Sequence, residues 1–206
     1  MATLVGLKEK FNKAVDHIER DGIDNLMHWL ETDTDFFSAP ASINFHGNYQ
    51  GGLVQHSILV LEFALTNFNW ILKYKPDYIS MKESIIISAL FHDICKINQY
   101  YWGEEKWIKK EGKWHSYKGY KFDDKLPIGH GEKSIYYISK FIKLTTSELL
   151  AIRWHMGPYE IGTQINGLTK YAYNQAAEDT LVKIIHSADI LAITLEETIN
   201  YANLVK

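Results

Sequence analysis

The chain holds one cysteine, Cys95. An internal disulfide is therefore excluded, and a lone thiol suits a reducing compartment. No apolar run comes near the roughly 20 residues that span a bilayer, and the opening MATLVGLKEKFNK lacks the basic-then-apolar order of a secretory signal. A cytoplasmic protein with no membrane segment is the expectation. Neither sign of charge dominates: 22 Lys and Arg against 25 Asp and Glu leave a net charge of −3. The whole molecule is thus no polyanion binder, and any attraction to nucleic acid must come from a local patch. Composition does not suggest disorder, since 206 residues that are 46% hydrophobic and 14% aromatic can bury one sizeable core.

What is present is mostly helical periodicity. Leu7, Phe11, Val15 and Ile18 recur at helical spacing, Asp21-Gly22 interrupts, and Ile23, Leu26, Trp29 and Leu30 resume the pattern, which predicts two N-terminal helices. His17 and His28 on them read as ordinary surface or core histidines. Residues 33–50 are polar and broken by Pro40 and Gly47, and a loop of this length in a compact domain is often functional. His46 lies in it, either solvated or facing a substrate. Gly51-Gly52 opens a helix through Leu53, Val60, Leu65 and Leu72 that stops before Pro76, with His56 in its first turns. Ser80 and Glu83 form a capping-box pattern ahead of SIIISALFHDICK, residues 84–96, whose isoleucines wrap most of a helix circumference.

Residues 98–125 change character. Aromatics and lysines gather around Glu111-Gly112, which predicts a β-hairpin inserted over about residues 100–125. From 106 to 125 seven lysines oppose three acids, a local charge of +4. Lys109, Lys113 and Trp114, with Lys110 and Lys118 in the same patch, are candidate contacts to phosphates and bases, as in single-strand binders. The alternative is an amphipathic cover whose lysines are merely solvated. His115 is expected at the surface. PIGHGEK, residues 127–133, then turns into a helix and holds His130 between two glycines. Thr145 and Glu148 form a second capping box, opening a helix expected to end at Gly157-Pro158 with His155 in its last turn. Residues 159–174 show no firm periodicity and are expected to be a loop over the pocket mouth. Residues 176–194 are helical again, with Asp189 embedded among Leu181, Val182, Ile185, Ala188 and Ala192. His186, three residues earlier, is expected in the core or supporting the site, and Glu196 and Glu197 begin a polar end.

An ionised Asp93 at the end of so apolar a helix needs a partner charge or a metal. Lys96, three residues on, is one answer. The company favours a metal: His56, His92, His130, His155 and Asp189 each lie in or beside a helical pattern of their own, so a bundle can gather one ligand from each. His92 and Asp93 point about 100° apart on a helix but can grip one ion beside it. Imidazoles with carboxylates suit Mn, Fe, Co, Ni or Zn better than Mg.

The order H…HD…H…H…D, with GGL ahead of His56, HDICK at residues 92–96 and Gly129-His130, resembles the HD superfamily of metal-dependent phosphohydrolases over about residues 51–197. The resemblance implies an all-α helical bundle in which residues 51–206 are the HD domain and residues 1–50 pack on it. It implies that His56, His92, Asp93 and Asp189 hold a first divalent ion. His130 and His155 match the added histidines of the binuclear branch, with Asp93 bridging two ions. Such a pair with a bridging water suits phosphoester hydrolysis, because it lowers the pKa of that water towards about 7 and clamps the reacting oxygens. Asp93 and Lys96 are then the catalytic candidates, Lys96 being the HD-x-x-K lysine that binds a nonbridging phosphate oxygen. The family commonly has glycine where Cys95 stands. The GYP tripeptide of the cyclic-di-GMP phosphodiesterases does not follow His155; Gly157-Pro158-Tyr159 stands in another order, so that substrate is not implied. The pattern is also similar to the HD domain of 3′-to-5′ exoribonucleases, whose separate OB domain has no counterpart in residues 1–50.

The expected function is hydrolysis of a phosphodiester or phosphomonoester in a nucleotide, cyclic nucleotide or short oligonucleotide. Expected partners are a small phosphorylated substrate and short single-stranded nucleic acid. Alternatives are an HD-type di-iron oxygenase on the same ligands and a catalytically silent nucleotide-binding HD module. Retention of all six ligand positions argues against the silent module.

Overall fold

Apolar residues recurring every three or four positions put most of the chain into helices. These are α1 (Leu4–Val15), α2 (Ile23–Thr32), α3 (Gly52–Leu72), α4 (Lys82–Phe91), α5 (His130–Ile138), α6 (Thr146–Arg153), α7 (Gly167–Ala176) and α8 (Thr180–Leu204). The single sheet among the described residues is the antiparallel pair β1 (Tyr100–Lys110) and β2 (Lys113–Phe122). The computed structural model describes residues 4–160 and 167–204, without the side chains of residues 108, 110 and 197–204. A helical bundle carrying a small hairpin is the architecture expected from the sequence.

The apolar run before His92 becomes the central helix. Ile85, Ile87, Leu90 and Phe91 of α4 are fully buried, because α1, α3, α6 and α8 all pack on it. α3 also lies along α8, and α6 against α5 and α8. α1 joins the same core through Leu7 and Phe11, with Phe11 edge-on to Phe36 and Phe91 at centroid distances of 5.2 and 5.9 Å. Such edge contacts add to what area burial alone supplies. Among the described residues no helix is long and apolar enough to cross a membrane.

Four local expectations need correction. α1 ends at Val15, so Ile18 is buried from the turn beyond it rather than from the helix. Ser80 caps nothing: a 3-10 turn, Pro76–Met81, leads directly into α4. Glu83 has turned instead to Arg20, 3.2 Å away, and to the backbone N–H of Glu19 at 2.8 Å. A charge-assisted contact to a distant segment has outcompeted the local box. α6 ends at Arg153, so His155 stands just past the helix instead of in its last turn. Of residues 159–174, expected as loop, 167–174 belong to α7, while 161–166 lie outside the described residues.

The second capping box does form. The Thr145 hydroxyl accepts the Glu148 N–H, and the Glu148 carboxylate accepts the Thr145 N–H at 2.7 Å. That carboxylate also receives Arg20 at 2.9 and 3.1 Å and the Ser84 hydroxyl at 2.7 Å, which ties the α1–α2 turn to α4 and α6. Glu148 is fully buried. Burial alone would raise its pKa, but Arg20, Thr145 and Ser84 outweigh it and hold the group below the usual range. A depressed carboxyl stabilises the fold fully above its unfolded pKa of about 4.3, and the contribution drains away as pH falls through the lower native value. Glu148→Gln is expected to cost about 2 to 3 kcal/mol in urea unfolding near neutral pH. The difference from wild type should shrink as pH drops below about 4.

The hairpin register pairs Trp102 with Tyr120, Trp107 with Ser116 and Lys109 with Trp114, with an irregularity between Trp102 and Glu104. Because side chains alternate across a strand, Trp102, Trp107, Trp114 and Tyr120 share one face. Trp107, Trp114 and His115 are exposed. The side chain of Lys110 lies outside the described residues.

Candidate metal centre

α4 delivers His92 and Asp93 at its C-terminal end, where the helix gives way to the 3-10 turn Ile94–Lys96. The Asp93 backbone leaves helical geometry there, with φ −109° and ψ 13°, in the bridge region that site residues often occupy. Asp93 is only 2% exposed, and its side chain has a separate set of neighbours at each oxygen. Oδ2 faces His56 Nε2 and His92 Nε2, both at 3.6 Å, and Lys96 Nζ at 2.6 Å. Oδ1 faces His130 Nε2 at 2.7 Å and His155 Nε2 at 3.5 Å. Asp189, from the middle of α8, closes the first group, with Oδ1 3.1 Å from His56 Nε2 and 4.0 Å from His92 Nε2.

Three of the histidines are aimed by what their other nitrogen touches. His92 Nδ1 donates to the Ala89 carbonyl at 2.9 Å, and His155 Nδ1 to the Ile152 carbonyl at 2.8 Å. His56 Nδ1 meets the Glu196 carboxylate at 3.1 Å. Each therefore turns Nε2 inward, the usual way in which a second contact orients a metal-binding imidazole. α3 can begin so close to the 33–50 loop because residue 52 is glycine: a Cβ there would stand 2.0 Å from the Gly47 carbonyl oxygen. Beyond His155 the chain turns at Gly157, φ +57°, where a Cβ would strike the His186 ring. His186 thereby reaches the His155 carbonyl at 2.6 Å and braces that segment from behind.

This donor set demands positive charge. The Nε2 atoms of His56 and His92 lie 3.3 Å apart, close to two carboxylates, and the inward Nε2 of His155 is buried with no hydrogen-bond partner. Burial pushes His92 down to about 3. Burial also opposes the charge on His56, but Asp189 and Glu196 outweigh it and raise its pKa to about 10. His130 likewise rises to about 10 against burial, beside Cys95 and Asp93. Asp93 stays well below the carboxylate range despite burial, because Lys96 and the surrounding histidines favour its charge. Protons on His56 and His130 are one supply of the charge these carboxylates require; a divalent cation is the other. Three clusters have atoms within 4.8 Å of one another, as one ion requires: His56, His92 and Asp93; Asp93, His130 and His155; and His46, His56 and Glu196. Nitrogen with oxygen donors suits a first-row transition metal.

The remaining candidates divide. Lys96 is at the centre. His46 is beside it, its ring 5.0 Å from that of His56 and its Nε2 buried without a partner. Burial, with help from His56 and Lys96, pushes His46 down to about 4, so its ring is neutral. Lys109, Lys113 and Trp114 are exposed on the hairpin, and no described hydrogen bond or ion pair joins them to the centre. Glu196 was expected in a polar chain end; it is 1% exposed and holds His56. The available signal was its spacing, since Glu196 follows Asp189 by two helical turns and so shares its face. The side chain of Glu197 lies outside the described residues.

The chain matches one curated protein, the dihydroneopterin 2′,3′-cyclic phosphate phosphodiesterase of Methanocaldococcus jannaschii, at 38% identity over 71 residues. The match takes in 34% of this chain and 28% of that protein, so well under two thirds of the relative is covered. No solved structure matches significantly. The family model described as HD domain matches residues 53–194, a span that runs from just before His56 to just past Asp189 and takes in every residue of the centre except Glu196. With most of its length in that match, the chain belongs to the HD domain family.

Proposed function

We propose that the protein is a metal-dependent phosphohydrolase that cleaves a phosphoester of a nucleotide-like substrate at this centre. The carrying observation is Asp93, one buried carboxylate whose two oxygens face two different histidine groups. His56, His92, Asp93 and Asp189 would hold one divalent ion, and Asp93, His130 and His155 a second, drawn from Mn, Fe, Ni, Co or Zn. Bound ions of this kind supply a nucleophilic water at neutral pH and neutralise charge on a phosphate.

The chain's own residues do the rest. Asp93 fixes the spacing of the two groups, while Glu196 and the Ala89 and Ile152 carbonyls hold the imidazoles in the required tautomer. Lys96 keeps a positive charge beside them: burial opposes it, but Asp93 raises its pKa above the ordinary lysine value. That charge serves a nonbridging phosphate oxygen. His46 offers a neutral imidazole to the same space. Lys109, Lys113 and Trp114 are contacts only for a substrate long enough to reach the hairpin, such as a short single strand. The activity of the M. jannaschii protein makes a 2′,3′-cyclic phosphate diester the first substrate to test, with other nucleotides and short oligonucleotides after it.

Protein purified without chelator is expected to carry about two transition-metal ions per chain by elemental analysis and to hydrolyse bis-p-nitrophenyl phosphate. His130→Ala and His155→Ala are each expected to lose one ion preferentially and to keep weak activity. One ion per reconstituted wild-type chain removes the paired centre. Absence of hydrolysis across diesters and monoesters with each of the five metals removes the phosphohydrolase.

A further inference from the structure

The geometry points to a recognition site, between the 33–50 loop and the base of the hairpin, for a flat heterocycle with the amino and ring N–H edge shared by guanine and pterins. It rests on the phosphohydrolase reading and names the substrate class for that same centre. A cavity of about 540 Å³ lies there, walled by Tyr49, Tyr100, Trp102 and Tyr120, with Asp35 at its side. Its volume is in the range of small-molecule sites, and aromatic walls with a few polar groups, here Asp35, Ser38, Asn48 and Gln50, are their usual lining.

The aromatic side is built by the hairpin. Trp102 and Tyr120 are cross-strand partners and meet edge to face, with centroids 4.9 Å apart at 68°. Tyr120 is buried behind Trp102, which is 63% exposed. An indole braced by one ring contact and otherwise largely exposed is a stacking platform, and such a surface accepts any flat ring. Selection must come from elsewhere.

Asp35 supplies it. Its backbone N–H donates to Asn98 Oδ1 at 3.1 Å, and its Oδ1 accepts the Asn98 N–H at 2.6 Å. Asn98, in the left-handed region at φ +54°, also donates from Nδ2 to the Asp33 carbonyl at 3.2 Å. The clamp fixes the carboxylate and engages Oδ1, whereas Oδ2 makes none of the described hydrogen bonds. No described cation pairs with Asp35, and burial raises its pKa. A fixed acceptor of this kind suits an amino group beside a ring N–H, as on guanine and pterins. Adenine instead sets a ring acceptor beside its amino group, against the carboxylate charge.

The cavity wall is tied to the helix that carries His56: the Ser38 and Ala39 carbonyls accept the Gly51 and Leu53 N–H groups, both at 3.0 Å. On the other side Tyr100, also in the wall, follows Lys96 by four residues at the start of the hairpin. A phosphoester attached to a ring in the cavity would extend along these two segments toward the histidines.

Calorimetry with the phosphate-free ligands guanosine, neopterin and adenosine tests the site without any hydrolysis. Guanosine or neopterin is expected to bind at least about tenfold more tightly than adenosine, the scale of a hydrogen bond to a charged acceptor. Asp35→Asn still accepts the Asn98 N–H, so the loop should hold, and it should erase the preference. Trp102→Ala should weaken all three by about tenfold, with Trp102→Phe restoring most of the loss. Binding of guanosine alone identifies a purine nucleotide, and of neopterin alone a pterin. The site is overturned if adenosine binds as well as both, if none binds, or if Asp35→Asn keeps the preference. Binding that holds in a protein unable to cleave any phosphoester leaves the ring site standing and rejects the hydrolase; active protein with no ring preference does the reverse.

Discussion

Asp93→Ala is expected to lower hydrolysis by about 10⁴-fold or more, the scale on which removing one member of an interdependent catalytic set acts. It is also expected to strip the metal from both positions. The reason lies in the two ends of one side chain: Oδ2 belongs with His56 and His92, and Oδ1 with His130 and His155. Among the described ion pairs no other carboxylate reaches both groups, Asp189 pairing only with His56 and His92. His92→Ala removes a ligand of the first group alone and should leave residual metal at the second. Removing Asp93 also leaves the Lys96 ammonium buried without its counter-charge, which carries a stability cost of its own. Asp93→Asn preserves the volume and one oxygen acceptor, so it separates the two effects. Circular dichroism should show it folded while elemental analysis shows it depleted. Metal content equal to wild type in both Asp93 variants would remove Asp93 from the centre.

The parts of the fold legible in the sequence are those set by period and by strong local chemistry. The helical spacing of α3, α4 and α8, the Glu111-Gly112 turn and the Thr145–Glu148 box are each decided within a few residues. The parts misread are those decided by a distant partner. Ser80 and Glu83 carry a capping pattern as good as that of Thr145 and Glu148, but Arg20 claims Glu83 from 63 residues away. α7 was hidden because Leu168 and Tyr171 are exposed and only Tyr173 and Ala176 turn to the core, too narrow an apolar stripe to reveal a period. The site residues announce themselves because ionisable groups embedded in apolar runs are costly. Glu196 broke that rule only in appearance, since it stands among polar neighbours in sequence yet turns inward beside Asp189. The cavity at Asp35 could not be read at all, because the Asp35–Asn98 clamp joins a loop to the start of a hairpin across 63 residues.

Lys96→Ala is expected to keep the fold and the metal yet lose about 10²- to 10³-fold in kcat, the scale of removing one preorganised transition-state contact. Lys96 Nζ now sits 2.6 Å from Asp93 Oδ2, the same oxygen that faces His56 and His92. A divalent ion held by those residues would compete with the ammonium for that oxygen, and the ammonium is the member on a flexible stem. Lys96 would then yield Oδ2 and keep its charge at the edge of the centre, available to a phosphate oxygen. Two other roles give different results. If Lys96 acts only by supporting Asp93, the alanine variant should lose metal along with activity. If it binds substrate and transition state equally, the loss should fall on KM and leave kcat unchanged. Lys96→Arg retains the charge with a different shape, so partial recovery of kcat in that variant, at unchanged metal content, would assign the loss to charge on the phosphate rather than to packing around Asp93.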